Sequence, residues 1–115
     1  MQLTHEIQNG IAILALVGRL DTRGAPELES HGRALFRDGA RKLLVDMAGV
    51  DYISSAGLRV LLVLAKEADG CAGTLSVCCL TPAVLEVMTV SGFDTIIPLA
   101  DDRQSALDAL QSPPA

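Results

Sequence analysis

The sequence contains no tryptophan and few aromatic residues of any kind, which limits how it can recognise a ligand. Aromatic residues make up 3% of the 115 residues, whereas hydrophobic residues make up 50%. The core must therefore be built from Leu, Val, Ile and Ala, and a chain of this length fits one compact domain. We do not expect binding that depends on stacking against aromatic rings.

Basic residues are also scarce, and the few that lie close together in the sequence are interspersed with Asp or Gly. Nine Lys and Arg residues stand against 14 Asp and Glu residues, which gives a formal net charge of -5. A nucleic-acid backbone requires clustered basic side chains that displace its counterions. We therefore expect no nucleic-acid partner.

No apolar run is long enough to cross a membrane. The runs over residues 11–17 and 60–65 are far shorter than the roughly 20 residues that a spanning helix needs. Residues 1–6 lack the basic and apolar regions of an export signal. These absences predict a cytoplasmic protein that does not insert into a membrane.

The cysteines match neither a disulfide framework nor a metal site. Their number is odd, and Cys78 and Cys79 are adjacent in a predicted strand, so their side chains should point to opposite faces. Neither His5 nor His31 stands at ligand spacing from a cysteine. We predict no metal and no cofactor, and we interpret the thiols as small core residues in a reducing compartment.

Hydrophobic periodicity predicts strands that alternate with helices after an opening hairpin. Asn9-Gly10 between two apolar runs is a strong hairpin signal. Helical spacing follows over residues 25–36, and a short apolar run at residues 43–45 predicts an interior strand. The remaining predicted elements are a helix over about 57–69, a strand over 74–80, a helix capped by Thr81, an edge segment over 96–99 and a last helix capped by Asp101 or Asp102.

This order of elements predicts an α/β fold. We expect a mixed β-sheet of four to five strands with about four helices packed against it, and right-handed crossovers between the parallel strands. The domain should span residues 1–111, followed by a flexible tail over residues 112–115. Functional sites in open sheets of this kind gather at the carboxyl ends of the strands.

Two serines lie at such a strand end, where the strand pattern gives way to a helical one. Ser54 or Ser55 should be the N-cap, whose side-chain oxygen accepts a hydrogen bond from an amide of the first turn. A phosphoryl group there would also meet free amides and the positive end of the helix dipole. From the residues alone, a cap is the simplest role for Ser55. The nearby Asp46 and Asp51 are expected to serve the turn.

These motifs resemble the STAS domain in its small freestanding form, the anti-sigma factor antagonists of bacterial partner-switching systems. The resemblance covers nearly the whole chain and predicts a single STAS-like domain. It rests on these strings: Gly18-Arg19-Leu20-Asp21, Ala25-Pro26, Leu44-Val45-Asp46, Ile53-Ser54-Ser55-Ala56-Gly57-Leu58, Thr81-Pro82-Ala83-Val84 and Ser91-Gly92-Phe93.

The resemblance implies a function and a site. It implies that Ser55, two residues before Gly57, is phosphorylated by a serine kinase that is also an anti-sigma factor. The unphosphorylated protein would bind this partner and so free the sigma factor, and a serine phosphatase would restore it after modification. The implied partner-binding residues are Asp21, Thr22, Ser54, Ser55, Ala56, Gly57, Leu58 and Arg59.

Several alternatives stay open at this point. Many family members have an aspartate where this chain has Ser54, so Ser54 is an alternative site of modification. Related freestanding STAS proteins act without phosphorylation as subunits of lipid-transport ATPases. A phosphoaspartate receiver would use Asp46 as acceptor, but it needs a lysine near the last strand, and the only lysines are Lys42 and Lys66. No residues resemble a nucleophile with its base, so we expect a binding protein rather than an enzyme.

Overall fold

The computed structural model describes residues 1–111, and the predicted tail over residues 112–115 lies outside them. Within the described part, no helix combines the length and the apolar composition that crossing a membrane requires. The elements in chain order are β1 (Gln2–Gln8), β2 (Ile11–Leu20), α1 (Gly24–Arg37), β3 (Lys42–Ile53), α2 (Ser55–Gly70), β4 (Thr74–Cys78), α3 (Pro82–Val90), a 3-10 turn (Phe93–Thr95), β5 (Leu99–Ala100) and α4 (Arg103–Gln111).

The five strands form one mixed sheet in the order β1-β2-β3-β4-β5. β1 and β2 are antiparallel, and the other neighbouring strands are parallel. Asn9 and Gly10 make the tight turn of the opening hairpin, with φ values of 52° and 79°, the sign that a two-residue hairpin turn requires at both positions. The predicted mixed sheet with four helices is confirmed.

The helices are divided unequally between the two faces of the sheet. Side chains of α1, α2 and α3 share the larger core with alternate residues of the strands, among them Leu14 and Val45. α4 alone covers part of the other face, where Leu107 and Leu110 pack with Ile13 and Leu44. Nearly all of these buried residues are aliphatic, as the composition predicted.

Helix α1 packs against α2 at Gly32, where the Leu64 side chain occupies the space that a side chain would need. A Cβ atom at this position would lie 2.7 Å from Cδ2 of Leu64 on α2, a distance that real side chains do not tolerate. The absence of a side chain at Gly32 therefore sets the separation of the two helices, and with it the shape of the surface between them.

The structure corrects the predicted role of Asp46. β3 runs without a break from Lys42 to Ile53, so Asp46 lies within the strand and does not serve the serine turn. Its side chain is 11% exposed, and it accepts hydrogen bonds from Nε and Nη2 of Arg103 at 3.0 and 2.8 Å. A buried carboxylate needs such a partner, and the partner comes from α4.

The predicted strand over residues 74–80 is also too long. β4 ends at Cys78 because Cys79 adopts a left-handed conformation, with φ of 63°. This turn brings the two sulfur atoms to 3.5 Å from each other, so the prediction that they point to opposite faces is wrong. Burial raises the pKa of the Cys78 and Cys79 thiols, which keeps both protonated in the absence of a ligand.

The caps predicted for α3 and α4 agree with the structure to different degrees. Thr81 stands at the N-cap of α3, but its hydroxyl donates to the carbonyl oxygen of Val50 at 3.2 Å and so ties this helix to β3. Asp102 accepts from the amide of Ser105 at 2.7 Å, which confirms an aspartate cap for α4.

Candidate functional site

The turn between β3 and α2 is fixed by Ser54. Its amide and its hydroxyl both donate to the carbonyl oxygen of Leu20 at the end of β2, at 2.9 and 3.3 Å. The same hydroxyl oxygen accepts from the amide of Gly57 at 3.3 Å, so Ser54 is the N-cap of α2. The structure confirms that one of the two serines caps this helix, but the cap is Ser54 and not Ser55, so the role that the residues alone suggested for Ser55 is wrong.

Ser55, one residue further on, has none of these bonds. It is the first residue of α2 and is exposed, and within residues 1–111 its hydroxyl has no hydrogen-bond partner. The amide of Leu58 makes the first backbone bond of the helix, to the carbonyl oxygen of Ser54 at 3.0 Å. The amides of Ser55 and Ala56 lie before that bond, so a group attached to Ser55 would face the positive end of the helix.

Gly57 brings this turn against β2. A Cβ atom here would lie 2.8 Å from the carbonyl oxygen of Leu20 and 2.9 Å from Cγ1 of Ile53. The position is buried, so only a glycine lets the first turn of α2 approach the strand ends so closely. Gly57 therefore positions the surface around Ser55 and is not itself part of it.

Asp21 organises the neighbouring loop between β2 and α1. One of its oxygens accepts from the amides of Arg23 and Gly24, each at 3.0 Å. The Gly24 amide is the main cause that lowers the pKa of the carboxyl, with smaller contributions from the Arg23 amide and the Arg19 guanidinium. Arg19 also stacks on Tyr52 at 4.1 Å from the ring centre. Asp21 therefore fixes the turn ahead of α1, and its contact with a partner stays a prediction.

A groove of about 680 Å³ runs between α1 and α2 beside the serine turn. Three of the predicted partner-binding residues line it, namely Thr22, Ala56 and Arg59, and the rest of its wall comes mostly from α1. The further lining residues are Ala25, Pro26, Glu29, Ser30, Arg33, Arg37 and Val60. We call this surface the α1–α2 groove.

The α1–α2 groove is basic although the whole chain is acidic. Arg33 is neutralised by Glu29 at 3.1 Å and by Glu67 at 3.4 Å. Arg37 and Arg59 form no ion pair with a carboxylate in the described part of the chain. Two arginines that line the groove are therefore available to an acidic ligand.

The predicted site residues fall into three groups by exposure. Thr22, Ser55 and Arg59 are exposed, Asp21, Ser54, Ala56 and Leu58 are half-buried, and Gly57 is buried. The α1 side of the groove was not predicted, because it becomes part of the site only through the packing of α1 on α2. A sequence signal did exist: Arg33 and Arg37 are four residues apart and so share one helix face.

The similarity to known proteins extends over nearly the whole chain. Residues 2–106 match the STAS domain. The BtrV protein of Bordetella bronchiseptica, named as a candidate anti-sigma factor antagonist, is 39% identical over 112 residues, which are 97% of each chain. The crystal structure of an anti-sigma factor antagonist from Mycobacterium paratuberculosis has a TM-score of 0.89 at 25% identity, covering 96% of this chain and 94% of that one.

A second solved structure is more distant in sequence but shares the fold. The Bacillus protein SpoIIAA in its phosphorylated form has a TM-score of 0.74 at 18% identity, and the match covers 96% of this chain and all of that one, 100%. Taken with the matched residues and the geometry of the turn, these similarities define the class of protein. The chain belongs to the STAS domain family, and the resemblance noted in the sequence is confirmed.

Proposed function

We propose that this chain is an anti-sigma factor antagonist whose surface around Ser55 binds an anti-sigma factor with serine kinase activity. Relatives over the full length of the chain are named for the antagonist role. The observation that carries the assignment to Ser55 is the difference between two adjacent hydroxyls. Ser54 is held by Leu20 and Gly57, whereas the exposed Ser55 hydroxyl has no partner within residues 1–111.

The proposed docking surface combines the Asp21 loop, the serine turn and the α1–α2 groove. Asp21 and Ser54 hold the two loops in fixed conformations through backbone hydrogen bonds, so little ordering entropy is lost on binding. Arg59, on the same helix as Ser55, and Arg37, which lines the same groove, favour a partner that presents acidic side chains, because opposite charges steer association and set its orientation.

Phosphorylation would end this contact without a change of fold. The kinase transfers the γ-phosphoryl group of ATP to Oγ of Ser55. An O–P bond forms there as ADP leaves, and the hydroxyl proton passes to the kinase or to water. The phosphate adds about 1.5 to 2 negative charges at the interface. A penalty of about 2.8 kcal/mol would lower the affinity about 100-fold.

We expect the fold to stay unchanged on modification, because the Ser55 hydroxyl forms no hydrogen bond within the described residues. A structure of SpoIIAA in its phosphorylated form has the same fold, which supports a switch of this local kind. A serine phosphatase would restore the binding state. The chain would act by binding alone, without a cofactor and without catalytic chemistry of its own.

The test is intact-mass analysis after incubation with the cognate anti-sigma factor kinase and ATP. We expect one added phosphate in the wild-type chain and in Ser54→Ala, and none in Ser55→Ala. Full modification of Ser55→Ala together with loss of modification in Ser54→Ala would move the site to Ser54. Recovery of a lipid-transport ATPase subunit and no kinase in a pull-down would overturn the switching role itself.

A further inference from the structure

On the sheet face that α4 partly covers, two thiols and a carboxylate lie together. Cys78 ends β4, and its register partner on β3 is Asp46. One ligand atom of each of Asp46, Cys78 and Cys79 lies within 4.8 Å of the others. Asp46 and Cys78 are buried and Cys79 is half-buried, so the cluster has a closed inner side and a partly open outer one.

The backbone at Cys79 holds this arrangement in place. In a continued strand its side chain would point to the opposite face of the sheet from that of Cys78. Its left-handed conformation, with φ of 63°, turns the side chain back. The Cys79 amide donates to the carbonyl oxygen of Ala100 on β5 at 3.2 Å, which fixes the turn.

The geometry of these two adjacent cysteines disfavours a disulfide between them. Adjacent Cα atoms are about 3.8 Å apart across a trans peptide, below the roughly 4.4 to 6.8 Å that disulfides span. Two sulfurs held side by side instead match the coordination of a soft metal. Two Zn–S bonds of about 2.3 Å at a tetrahedral angle place the sulfurs about 3.8 Å apart, close to the 3.5 Å observed.

Asp46 is able to supply a third ligand while keeping its ion pair. Its Oδ2 accepts both bonds from Arg103, and its Oδ1 accepts one from the amide of Ala48 at 2.9 Å. Each carboxylate oxygen has two lone pairs, so Oδ1 keeps one free. The charges also balance, because a divalent cation, two thiolates, one carboxylate and one guanidinium sum to zero, as a largely buried site requires.

We propose that Asp46, Cys78 and Cys79 form a binding site for a thiophilic divalent cation such as zinc. Two S–H bonds are replaced by two metal–sulfur bonds, and both protons pass to solvent. A carboxylate oxygen of Asp46 is the third ligand, and a water molecule on the open side completes a four-coordinate site. The ion would join β3 to the end of β4 beneath α4. This site is independent of the serine switch.

The experiment is a titration of the reduced full chain with Cd2+, whose thiolate complexes absorb in the ultraviolet, paired with Zn2+ in a thermal-unfolding series. We expect saturation at one Cd2+ per chain, release of two protons per ion in weakly buffered solution, and a higher unfolding temperature with Zn2+. Cys71→Ala is the matched control, because Cys71 lies at the end of α2 away from the cluster, and it should behave as wild type.

The variant that removes the site is Cys79→Ala, chosen because Cys79 is the more exposed of the two cysteines. It should lose the thiolate absorption and the stabilisation by Zn2+. If Cys79→Ala does not fold, Cys79→Ser tests the same thiolate with a side chain of similar size. The proposal is overturned if stoichiometric Cd2+ gives no thiolate absorption in the wild type, if a folded Cys79 variant retains it, or if Cys71→Ala loses it.

Discussion

The two faces of the sheet differ in how fully their charged and polar side chains are paired. On the face with α4, Arg103 donates to Asp46 on β3 and to Glu6 on β1, so charges from three elements satisfy one another. On the other face, Arg37 and Arg59 have no carboxylate partner within residues 1–111, and neither has the Ser55 hydroxyl any hydrogen bond. Paired groups hold the fold together, whereas unpaired ones remain available to a second molecule.

The contrast predicts that the largest loss of stability comes from the face with α4. Arg103→Ala leaves the carboxylate of Asp46, whose side chain is 11% exposed, without its ionic partner. Because Arg103 itself is partly exposed, we expect the free energy of unfolding to fall by about 3 kcal/mol, at the low end for a broken buried pair. Urea denaturation measures this change, and phosphorylation of Ser55 should proceed as in the wild type. Arg37→Ala, the matched control in the groove, should change stability by less than about 0.5 kcal/mol.

A smaller effect on stability, combined with an effect on the site, is expected from Gly57→Ala. The new Cβ atom would meet the Leu20 carbonyl oxygen at 2.8 Å, so the first turn of α2 must shift. The expected cost is about 2 kcal/mol, and the rate of phosphorylation at Ser55 should fall with it. Gly70→Ala is the control on the same helix, since nothing lies within 4 Å of its Cβ position. Equal stability of the two variants would contradict the positioning role of Gly57.

Variants of the two serines should affect different properties, stability for Ser54 and phosphorylation for Ser55. Ser54→Ala removes the N-cap of α2 and its bond to Leu20, and it should cost about 1 kcal/mol of stability. Ser55→Ala should change stability by less than about 0.5 kcal/mol and abolish phosphorylation. Thermal unfolding of the two variants side by side gives the comparison. A larger loss of stability in Ser55→Ala than in Ser54→Ala would be incompatible with the cap assigned here.

The groove arginines should affect binding and not stability. Arg59→Gln should weaken the complex with the anti-sigma factor by about 1 kcal/mol, or roughly fivefold, and reduce the salt dependence of the association rate. Lys66→Gln is the control, because it removes one positive charge from the same helix outside the α1–α2 groove. Stopped-flow or surface-binding measurements at two salt concentrations distinguish the variants. Identical losses in both would show that only net charge matters.

The smallest effect expected is a pH dependence at the edge between β1 and α1. Nδ1 of His5 lies 2.8 Å from Nε2 of His31, and burial, followed by the charge of His5, lowers the pKa of His31. The unfolded chain therefore takes up a proton at higher pH than the folded chain. Stability should decline as the pH falls below about 6.5. Urea denaturation at several pH values should show this decline in the wild type, and a flatter profile in His31→Gln.

Much of this architecture is encoded locally, and the parts that sequence reasoning missed depend on distant contacts. The Asn9-Gly10 hairpin and the serine cap follow from neighbouring residues. Which serine is the cap depends on the Leu20 carbonyl oxygen, 34 positions away. Arg103, the partner of Asp46, is 57 positions away in the sequence and belongs to α4, the last helix of the chain. Neither distance leaves a periodic signal in the sequence.

The prediction for Cys78 and Cys79 failed for a similar reason, because it depended on a contact outside the local sequence. Period-two alternation holds only while the backbone is extended, and at Cys79 a left-handed turn fixed by Ala100 interrupts it. The α1 side of the groove is a further case, because Gly32 sets how closely α1 meets α2. Local patterns predicted the elements, but the side chains that meet across elements required the tertiary structure.

The most direct test of the central claim compares the wild-type chain with the same chain phosphorylated at Ser55. Titration calorimetry against the anti-sigma factor should give an affinity about 100-fold lower for the phosphorylated chain. Its free energy of unfolding should remain within about 0.5 kcal/mol of the unmodified value. Equal affinities, or a loss of binding accompanied by a loss of stability, would contradict a switch that acts through the exposed hydroxyl alone.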